Sequence, residues 1–281
     1  MSVHETLLSH FDEVKKHARA PREFILEFIA AGRQLLKEER LALAEDVLQW
    51  AEGQQETDRS TYYHAVFARG LMYFHSELFD KALETTMQAR QMFTDDADED
   101  ALAQTSATIG SIYRAMGEIE LAIRYLMEAI GHFENGVEDG FIYIAACYNL
   151  GEIFADGGRY TEALAQYDKM LAKRGIHMFD TLINLAYNGI GNIYLKKKEF
   201  EKALGYLEQG LAESEKIGNQ ANMARLHTSL GMYYQQTGNT SRALEEQRQA
   251  LNIRKGLHID GGSVTNLLDI AGIHMQTGNL P

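Results

Sequence analysis

A small residue recurs at nearly constant intervals along almost the whole 281-residue chain. The intervals between successive members are 38, 40, 41, 40, 40 and 40 residues. The members are Gly32, Gly70, Gly110, Gly151, Gly191, Gly231 and Ala271. Repetition at this period predicts a stack of similar structural repeats, each of which buries its apolar face against its neighbours. The chain length is therefore a count of about seven repeats rather than of one or two ordinary domains.

Two further columns accompany this anchor residue. Three positions after it stand large, mostly aromatic residues, namely Leu35, Tyr73, Tyr113, Phe154, Tyr194, Tyr234 and His274. Twelve positions after it stands alanine in every repeat that extends so far, namely Ala44, Ala82, Ala122, Ala163, Ala203 and Ala243. A glycine and a ring three positions later share one face of a helix, so a second helix can approach closely over the glycine. Each repeat is predicted to be a hairpin of two helices.

The turn of each hairpin is predicted seven positions after the anchor. Glycine stands there in four repeats, at Gly117, Gly158, Gly238 and Gly278, while Glu39, Glu77 and Lys198 take its place in the others. Glycine adopts the left-handed conformation that ends a helix at little cost. Two positions later the residue is apolar except at Thr240, namely Leu41, Phe79, Ile119, Tyr160, Phe200 and Leu280.

The composition agrees with an all-helical chain. Prolines occur only at Pro21 and Pro281, and hydrophobic residues make up 45% of the chain. A long stretch without proline favours helices, and this apolar content predicts a real core. Between repeats, the polar segments 94–100, 135–140, 216–220 and 260–263 are predicted to be loops that lead into the next helix.

The pattern resembles the tetratricopeptide repeat. The residues that carry the resemblance are Leu150-Gly151-Glu152-Ile153-Phe154 with Gly158, Tyr160 and Ala163, and Ile190-Gly191-Asn192-Ile193-Tyr194 with Phe200 and Ala203. The resemblance covers about residues 24–281 and implies an all-α fold, a right-handed superhelical α-solenoid of helical hairpins. The family's usual period is about 34 residues, and its usual proline after the second helix is missing. The longer repeat is similar to those of kinesin light chains and of bacterial Rap-type regulators.

The two ends of the chain are predicted to differ from the middle. Residues 1–22 are expected to form a capping helix, and residues 23–281 a solenoid of six full repeats plus the first helix of a seventh, at 265–276. A hairpin cut in half exposes apolar residues such as Leu267, Leu268 and Ile270. Two expectations follow: the natural chain continues past Pro281, or a second copy covers this end and forms a homodimer.

Charge and cysteine content narrow the partners and the compartment. The net charge of −13 disfavours nucleic acid, and no apolar stretch is long enough to cross a membrane. The single Cys147 and the lack of an amino-terminal signal segment predict a cytoplasmic protein.

Nothing in the sequence indicates an active site, a cofactor or a metal. Gly189-Ile190-Gly191 is a lone GxG within a predicted helix. His4, His10 and His17 lack the spacing of a zinc helix, so they are interpreted as surface residues. Cys147 is interpreted as a buried thiol rather than a nucleophile. A serine–histidine–aspartate set remains open, because its members need only meet in space.

The resemblance also implies where a ligand binds. In this family the first helices of successive repeats line a concave groove that commonly holds a peptide, through residues around the anchor. The corresponding candidates here are Ser111, Arg114, Tyr148, Asn149, Glu152, Asn188, Asn192, Arg225, Thr228 and Met232. The asparagine pair at 188 and 192 could bond a peptide backbone through its amides, or could bond a neighbouring helix instead.

One subtype of the family can be excluded. Chaperone-binding members hold a terminal carboxylate with a lysine three positions before the anchor, but that position is occupied by Phe67, Ala107, Tyr148, Asn188 and Thr228. The sequence therefore predicts a different peptide or protein segment as partner.

The leading hypothesis is a non-enzymatic protein-binding or peptide-binding module. It would be the amino-terminal sensory or regulatory part of a larger bacterial signalling protein, such as a nucleotide cyclase or a histidine kinase. The alternative is a self-associating assembly scaffold. A bound metal or nucleotide in the purified protein would favour a third, catalytic hypothesis.

Overall fold

The computed structural model describes residues 59–134, 140–174, 180–257 and 263–277, together with Ala42 and Glu45. In the described ranges from residue 59 to residue 277 the chain forms eleven α-helices and no β-strand. The helices are α1 (Arg59–His75), α2 (Phe79–Asp96), α3 (Glu99–Met116), α4 (Ile119–Glu134), α5 (Gly140–Asp156), α6 (Tyr160–Leu171), α7 (Asp180–Lys196), α8 (Phe200–Ile217), α9 (Gln220–Gln236), α10 (Thr240–Gly256) and α11 (Ser263–Thr277). The chain divides into two compact units, Met1–Ala146 and Cys147–Pro281.

The predicted hairpin turns are confirmed in the five repeats that the structure describes. The residue seven positions after each anchor has a left-handed backbone, with φ of 61° at Glu77, 82° at Gly117, 73° at Gly158, 59° at Lys198 and 83° at Gly238. The second helix begins two positions later in all five, even where the residue is the polar Thr240. The left-handed turn is therefore a property of the position, which the repeat requires whether or not glycine occupies it.

The alanine column lies at the centre of each hairpin. Ala82, Ala122, Ala163, Ala203 and Ala243 are all fully buried. A column that the sequence analysis missed lies four residues further on, sixteen after the anchor: Thr86, Leu126, Tyr167, Leu207 and Gln247. A Cβ atom added to the preceding anchor glycine would come within 2.5–2.7 Å of each of these side chains. The anchor is small because this side chain fills the space above it.

The first unit contains the hairpins α1–α2 and α3–α4. Phe93 of α2 lies at its centre, with the rings of Tyr63, His64 and Phe67 of α1 at centroid distances of 4.9–6.4 Å. A polar network joins α2, α3 and α4, because Glu128 accepts hydrogen bonds from Arg90 at 2.5 Å and from the buried Ser106 at 3.0 Å.

The boundary between the units lies within α5. The second unit contains α5 from Cys147 onward, α6, the hairpins α7–α8 and α9–α10, and α11. An apolar cluster joins the end of α7 to α8 and α9 through Leu195, Ala203, Leu207, Leu226 and Leu230. Within this unit, each helical hairpin therefore packs against the next one along the chain, as in a solenoid.

Two predicted loops are corrected by the structure. Helix α2 continues to Asp96 and α8 to Ile217, so the connections at 94–100 and 216–220 shrink to Ala97–Asp98 and Gly218–Asn219. The first residue of each connection has a left-handed backbone, and the second caps the next helix, as Asp98 does by accepting from the backbone of Ala101 at 2.9 Å. The residues by which these repeats exceed the usual period of about 34 residues therefore lengthen the helices at these two connections.

Some predictions lie outside the described residues, namely the capping helix 1–22, the first repeat with Gly32, Leu35 and Ala44, and the positions Gly278 and Leu280. The last described helix, α11, extends one or two residues past each predicted end. Its residues Leu267 and Leu268 are 51% and 67% exposed, as predicted, whereas Ile270 is half-buried.

Candidate functional site

The ten predicted site residues all lie on first helices of hairpins, in both compact units. Ser111 and Arg114 lie on α3 of the first unit, where both are half-buried and Ser111 donates to the carbonyl of Ala107 at 2.9 Å. The other eight belong to the second unit. Tyr148, Asn149 and Glu152 lie on α5, Asn188 and Asn192 on α7, and Arg225, Thr228 and Met232 on α9.

A cavity of about 220 Å³ brings three of these eight residues together. Glu152, Asn192 and Met232 line it, and each comes from a different helix. The same repeat position places them there, because each residue directly follows an anchor glycine. The remaining lining residues are Ala155, Asp156, Tyr167, Gly189, Ile193, Leu195, Lys196 and Gln236.

Tyr167 reaches this cavity from the second helix α6 and is absent from the residues predicted from the sequence. Its ring passes between two glycines: added Cβ atoms would lie 2.7 Å from its Cε1 at Gly151 and 2.5 Å from its Cζ at Gly189. Gly189, the first glycine of the lone GxG, is therefore explained by the space that this ring occupies. The signal in the sequence was the position of Tyr167, sixteen residues after Gly151.

The hydroxyl of Tyr167 donates to Oε1 of Glu152 at 2.5 Å. Burial raises the pKa of Tyr167 well above its ordinary value, and the nearby charge of Glu152 raises it further. The hydroxyl therefore stays protonated and acts as a permanent donor to the carboxylate. This contact fixes the Glu152 side chain at the wall of the cavity.

The two predicted asparagines have different surroundings. Asn188 accepts a hydrogen bond from Ser229 at 2.8 Å, which ties α7 to α9. Asn192 has a buried Oδ1 atom with no hydrogen-bond partner among the described residues. Only the second asparagine therefore offers an unused buried acceptor to the cavity.

A second group of polar residues surrounds Arg225 and Thr228. The guanidinium of Arg225 donates to the hydroxyl of Tyr148 at 3.3 Å. Thr228 accepts from Arg254 and from Asn266, both at 3.1 Å. Arg254 and Asn266 were not found from the sequence, because they belong to α10 and α11 and meet α9 only in the fold.

The electrostatics of this second group are dominated by its two arginines. The pKa of Arg254 is lowered from its ordinary value, first by burial and then by the charge of Arg225. Burial also raises the pKa of the neighbouring Asp269. Arg254 therefore has one cation, Arg225, and one carboxyl group, Asp269, as charged neighbours, whereas the cavity is lined by two carboxylates, Glu152 and Asp156, and one ammonium, Lys196.

The structure also bears on the cysteine, metal and membrane predictions. Cys147 is completely buried. Across the described ranges, no three histidine, cysteine, aspartate or glutamate side chains group where they could hold a metal ion. In the same residues no helix has the length and apolar character needed to cross a membrane. His4, His10 and His17 lie outside the described residues.

Comparison with known proteins points to one family. Two family models, both described as tetratricopeptide repeat, match residues 108–176 and 182–256, which together make up more than half of the chain. No curated protein matches the sequence.

Solved structures share the fold at low sequence identity. The apo form of RapI is 17% identical, covering 98% of this chain and 84% of its own, with a TM-score of 0.66. The apo quorum sensor NprR from B. thuringiensis is 16% identical, covering 97% and 76%, with a TM-score of 0.69. A kinesin light chain-like protein from Podosopora anserina, with nearly identical TPR-like repeats, is 15% identical, covering 73% of this chain and 98% of its own, with a TM-score of 0.54.

Proposed function

We propose that this chain, which belongs to the tetratricopeptide repeat family, binds a peptide or protein segment on the first helices of its second unit. The observation that carries the proposal is the meeting of Glu152, Asn192 and Met232, from three different helices, at one cavity. A pocket with apolar walls and a few convergent polar groups is the usual form of a binding site. We name the surface formed by Tyr148, Glu152, Asn192, Arg225 and Met232 the binding face.

The polar groups of the binding face suit a peptide in extended conformation. Such a segment presents unpaired backbone donors and acceptors together with side chains of either charge. Asn192 supplies an unused acceptor, Arg225 is an exposed cation, and Glu152 and Asp156 are anions. A binding role needs no further groups, and we propose that the chain itself is not catalytic.

We further propose a regulatory role, in which occupancy of the binding face by a peptide is read by another part of a bacterial signalling protein. The support is the likeness of fold to NprR, which is a quorum sensor, and to RapI. Because the hairpins of the second unit pack on one another, a ligand that bridges its three first helices would fix their relative positions.

The proposal is tested with peptides selected from a random library displayed on phage. We expect that Asn192→Ala combined with Met232→Ala raises the Kd of the selected peptides at least about tenfold, or about 1.4 kcal/mol. Both substitutions remove contacts at the cavity. The measurement is isothermal titration calorimetry, with circular dichroism to verify the fold.

The matched control combines Asn252→Ala with Met127→Ala, which change the same residue types at exposed positions outside the cavity. Equal loss of affinity in both double variants, or in neither, would place the binding site elsewhere.

Self-association is a second candidate function, and one observation favours it. Four large apolar side chains of α11 are 51–71% exposed, namely Val264, Leu267, Leu268 and Met275. Such a concentration on one helix is typical of a surface that another chain covers. We expect light scattering to show a mass that rises with concentration and that Leu268→Glu lowers. Met127→Glu, on a 57% exposed methionine, is the control. A constant monomer mass would exclude this candidate.

A further inference from the structure

The cavity beside Tyr167 is too small for a typical small-molecule ligand. Its volume of about 220 Å³ lies below the roughly 300–1,000 Å³ of most such pockets. A single side chain of a bound segment is a better match for this size.

The polar lining is rich in acceptors. Glu152 uses Oε1 to accept from Tyr167, and that is its only hydrogen bond among the described residues. Asn192 adds a buried Oδ1 without a partner, and the exposed Asp156 adds a second carboxylate. A buried acceptor such as Oδ1 of Asn192 is normally satisfied, so together with the two carboxylates it favours a ligand with several N–H donors.

Tyr167 reinforces this preference. Because its hydroxyl is held as a donor to Glu152, it does not compete with that carboxylate for a donor from the ligand. The contact also keeps the carboxylate from turning away into solvent. Tyr167 is therefore a positioning residue for Glu152, and it reaches the cavity only because positions 151 and 189 are glycine.

The apolar lining fits the stem of a long side chain. Ile193, Leu195 and Met232 form the walls, and Leu195 is almost completely buried. Lysine and arginine carry three or four methylene groups that pack on such surfaces while the charged end reaches polar partners. Methionine adapts well to stems of either shape.

We propose that this cavity takes one cationic side chain, an arginine or a lysine, of the segment bound on the binding face. The inference rests on the proposed function and adds the chemistry of its ligand. Lys196 lines the same cavity and forms no ion pair within the described part of the chain. Its ammonium is the group of this chain that competes with a cationic ligand for the two carboxylates. Two carboxylates against one ammonium leave a net negative charge for the ligand to neutralise.

The experiment uses three blocked pentapeptides, acetyl-Ala-Ala-X-Ala-Ala-amide, in which X is arginine, its neutral analogue citrulline, or glutamate. Binding is followed by NMR titration of the full chain at millimolar peptide, observing the side-chain amide of Asn192 and the methyl groups of Ile193 and Met232. We expect these resonances to shift and the arginine peptide to bind at least about fivefold more tightly than the citrulline peptide. The glutamate peptide is expected to bind most weakly.

Variants separate charge recognition from simple contact. Glu152→Gln is expected to remove the preference for arginine over citrulline, whereas Glu208→Gln, at an exposed position of α8, is expected to keep it. Lys196→Gln removes the competitor and is expected to tighten arginine binding. Tyr167→Phe keeps the ring and is expected to weaken the preference without abolishing it.

The possible outcomes distinguish this inference from the function on which it rests. Equal affinity for arginine and citrulline, or a preference that survives Glu152→Gln, overturns the cationic specificity, while cavity shifts still support peptide binding. If the arginine peptide shifts none of the cavity resonances, the inference fails, and the selected peptides then decide the proposed function by themselves.

Discussion

Two neighbouring hairpins of the second unit use the same repeat position in different ways. In α7–α8, Leu207 fills the space above the anchor Gly191 and belongs to an apolar cluster. In α5–α6, Tyr167 holds the equivalent position above Gly151, but its ring continues to Gly189 and its hydroxyl bonds Glu152. One column of the repeat therefore serves packing in one hairpin and brings a polar group to the binding face in the other.

The opposite side of the two hairpins differs less. In α7–α8, Tyr194 stacks on Tyr206 at a centroid distance of 5.7 Å, and the Lys202 ammonium lies 5.2 Å from the Tyr194 ring. In α5–α6, the Arg159 guanidinium lies 4.2 Å from the Phe154 ring. A cation near the ring three positions after the anchor stabilises both turns. The two hairpins therefore share this cation–ring contact, whereas they differ at the cavity.

The largest expected effect is the loss of Tyr167. Tyr167→Ala should destabilise the protein by about 3–5 kcal/mol, because it removes a completely buried ring from between two helices. Tyr167→Phe should cost only about 1 kcal/mol, since it keeps the ring and loses one hydrogen bond. Urea unfolding followed by circular dichroism measures both. If the Phe variant is as unstable as the Ala variant, the stabilisation comes from the hydroxyl and its hydrogen bond rather than from packing of the ring.

The second expectation concerns the glycine that admits this ring. Gly189→Ala should destabilise by about 1–3 kcal/mol, because the new Cβ would lie 2.5 Å from the rigid ring of Tyr167. Gly205→Ala is the matched control in α8, where nothing lies within 4 Å, and it should stabilise by about 0.5–1 kcal/mol. In the Tyr167→Ala background, Gly189→Ala should lose its cost. An unchanged cost there would show that the ring is not what requires glycine.

The repeating part of this structure could be predicted from the sequence, because it depends on columns that recur. The alanines at +12 and the turns at +7 are such columns, and the structure places all the described ones where the spacing requires. The side chain at +16 escaped prediction because it varies from threonine to tyrosine, and only its position is constant. A position that is constant in spacing but occupied by different residue types cannot be recognised from residue identity.

The candidate site was predictable only in part, for a related reason. Glu152, Asn192 and Met232 follow anchors, so the repeat placed them on corresponding helix positions. Asn188 shares a helix face with Asn192, but its bond to Ser229 depends on the packing of α9. The partners Arg254 and Asn266 lie 26 and 38 residues from Thr228 in sequence and meet it only in the fold. A pattern that recurs within each repeat therefore gives no information about the contacts that form between repeats.

A smaller effect is expected at the turns of the same two hairpins. Gly158 turns α5–α6 and Lys198 turns α7–α8, both with a left-handed backbone. A side chain in that conformation costs about 1–2 kcal/mol, so Lys198→Gly should stabilise by about 0.5–1 kcal/mol after the loss of chain entropy is counted. Gly158→Ala is the mirror experiment and should destabilise. Thermal unfolding measures both, and the same sign for the two variants would contradict the turn assignment.

The smallest effect on stability is expected from the carboxylates of Glu162 and Glu199, which lie at these turns. Hydrogen bonds from Arg159 lower the pKa of Glu162, and hydrogen bonds from Lys197, then Lys202, lower that of Glu199. A folded-state pKa below the unfolded value means that the stabilisation is present above the ordinary glutamate pKa of about 4.3 and disappears as pH falls through the lowered value.

NMR titration of the two side-chain carboxyls measures these values directly. Lys202→Met should raise the pKa of Glu199 and leave that of Glu162 unchanged, because Arg159 remains in place. Both pairs are exposed, so about 1 M salt should move both pKa values toward the ordinary one. A pKa of Glu199 that is insensitive to both changes would show that the two lysines do not hold its carboxylate in solution. The hairpins would then differ at their turns as well as at the cavity.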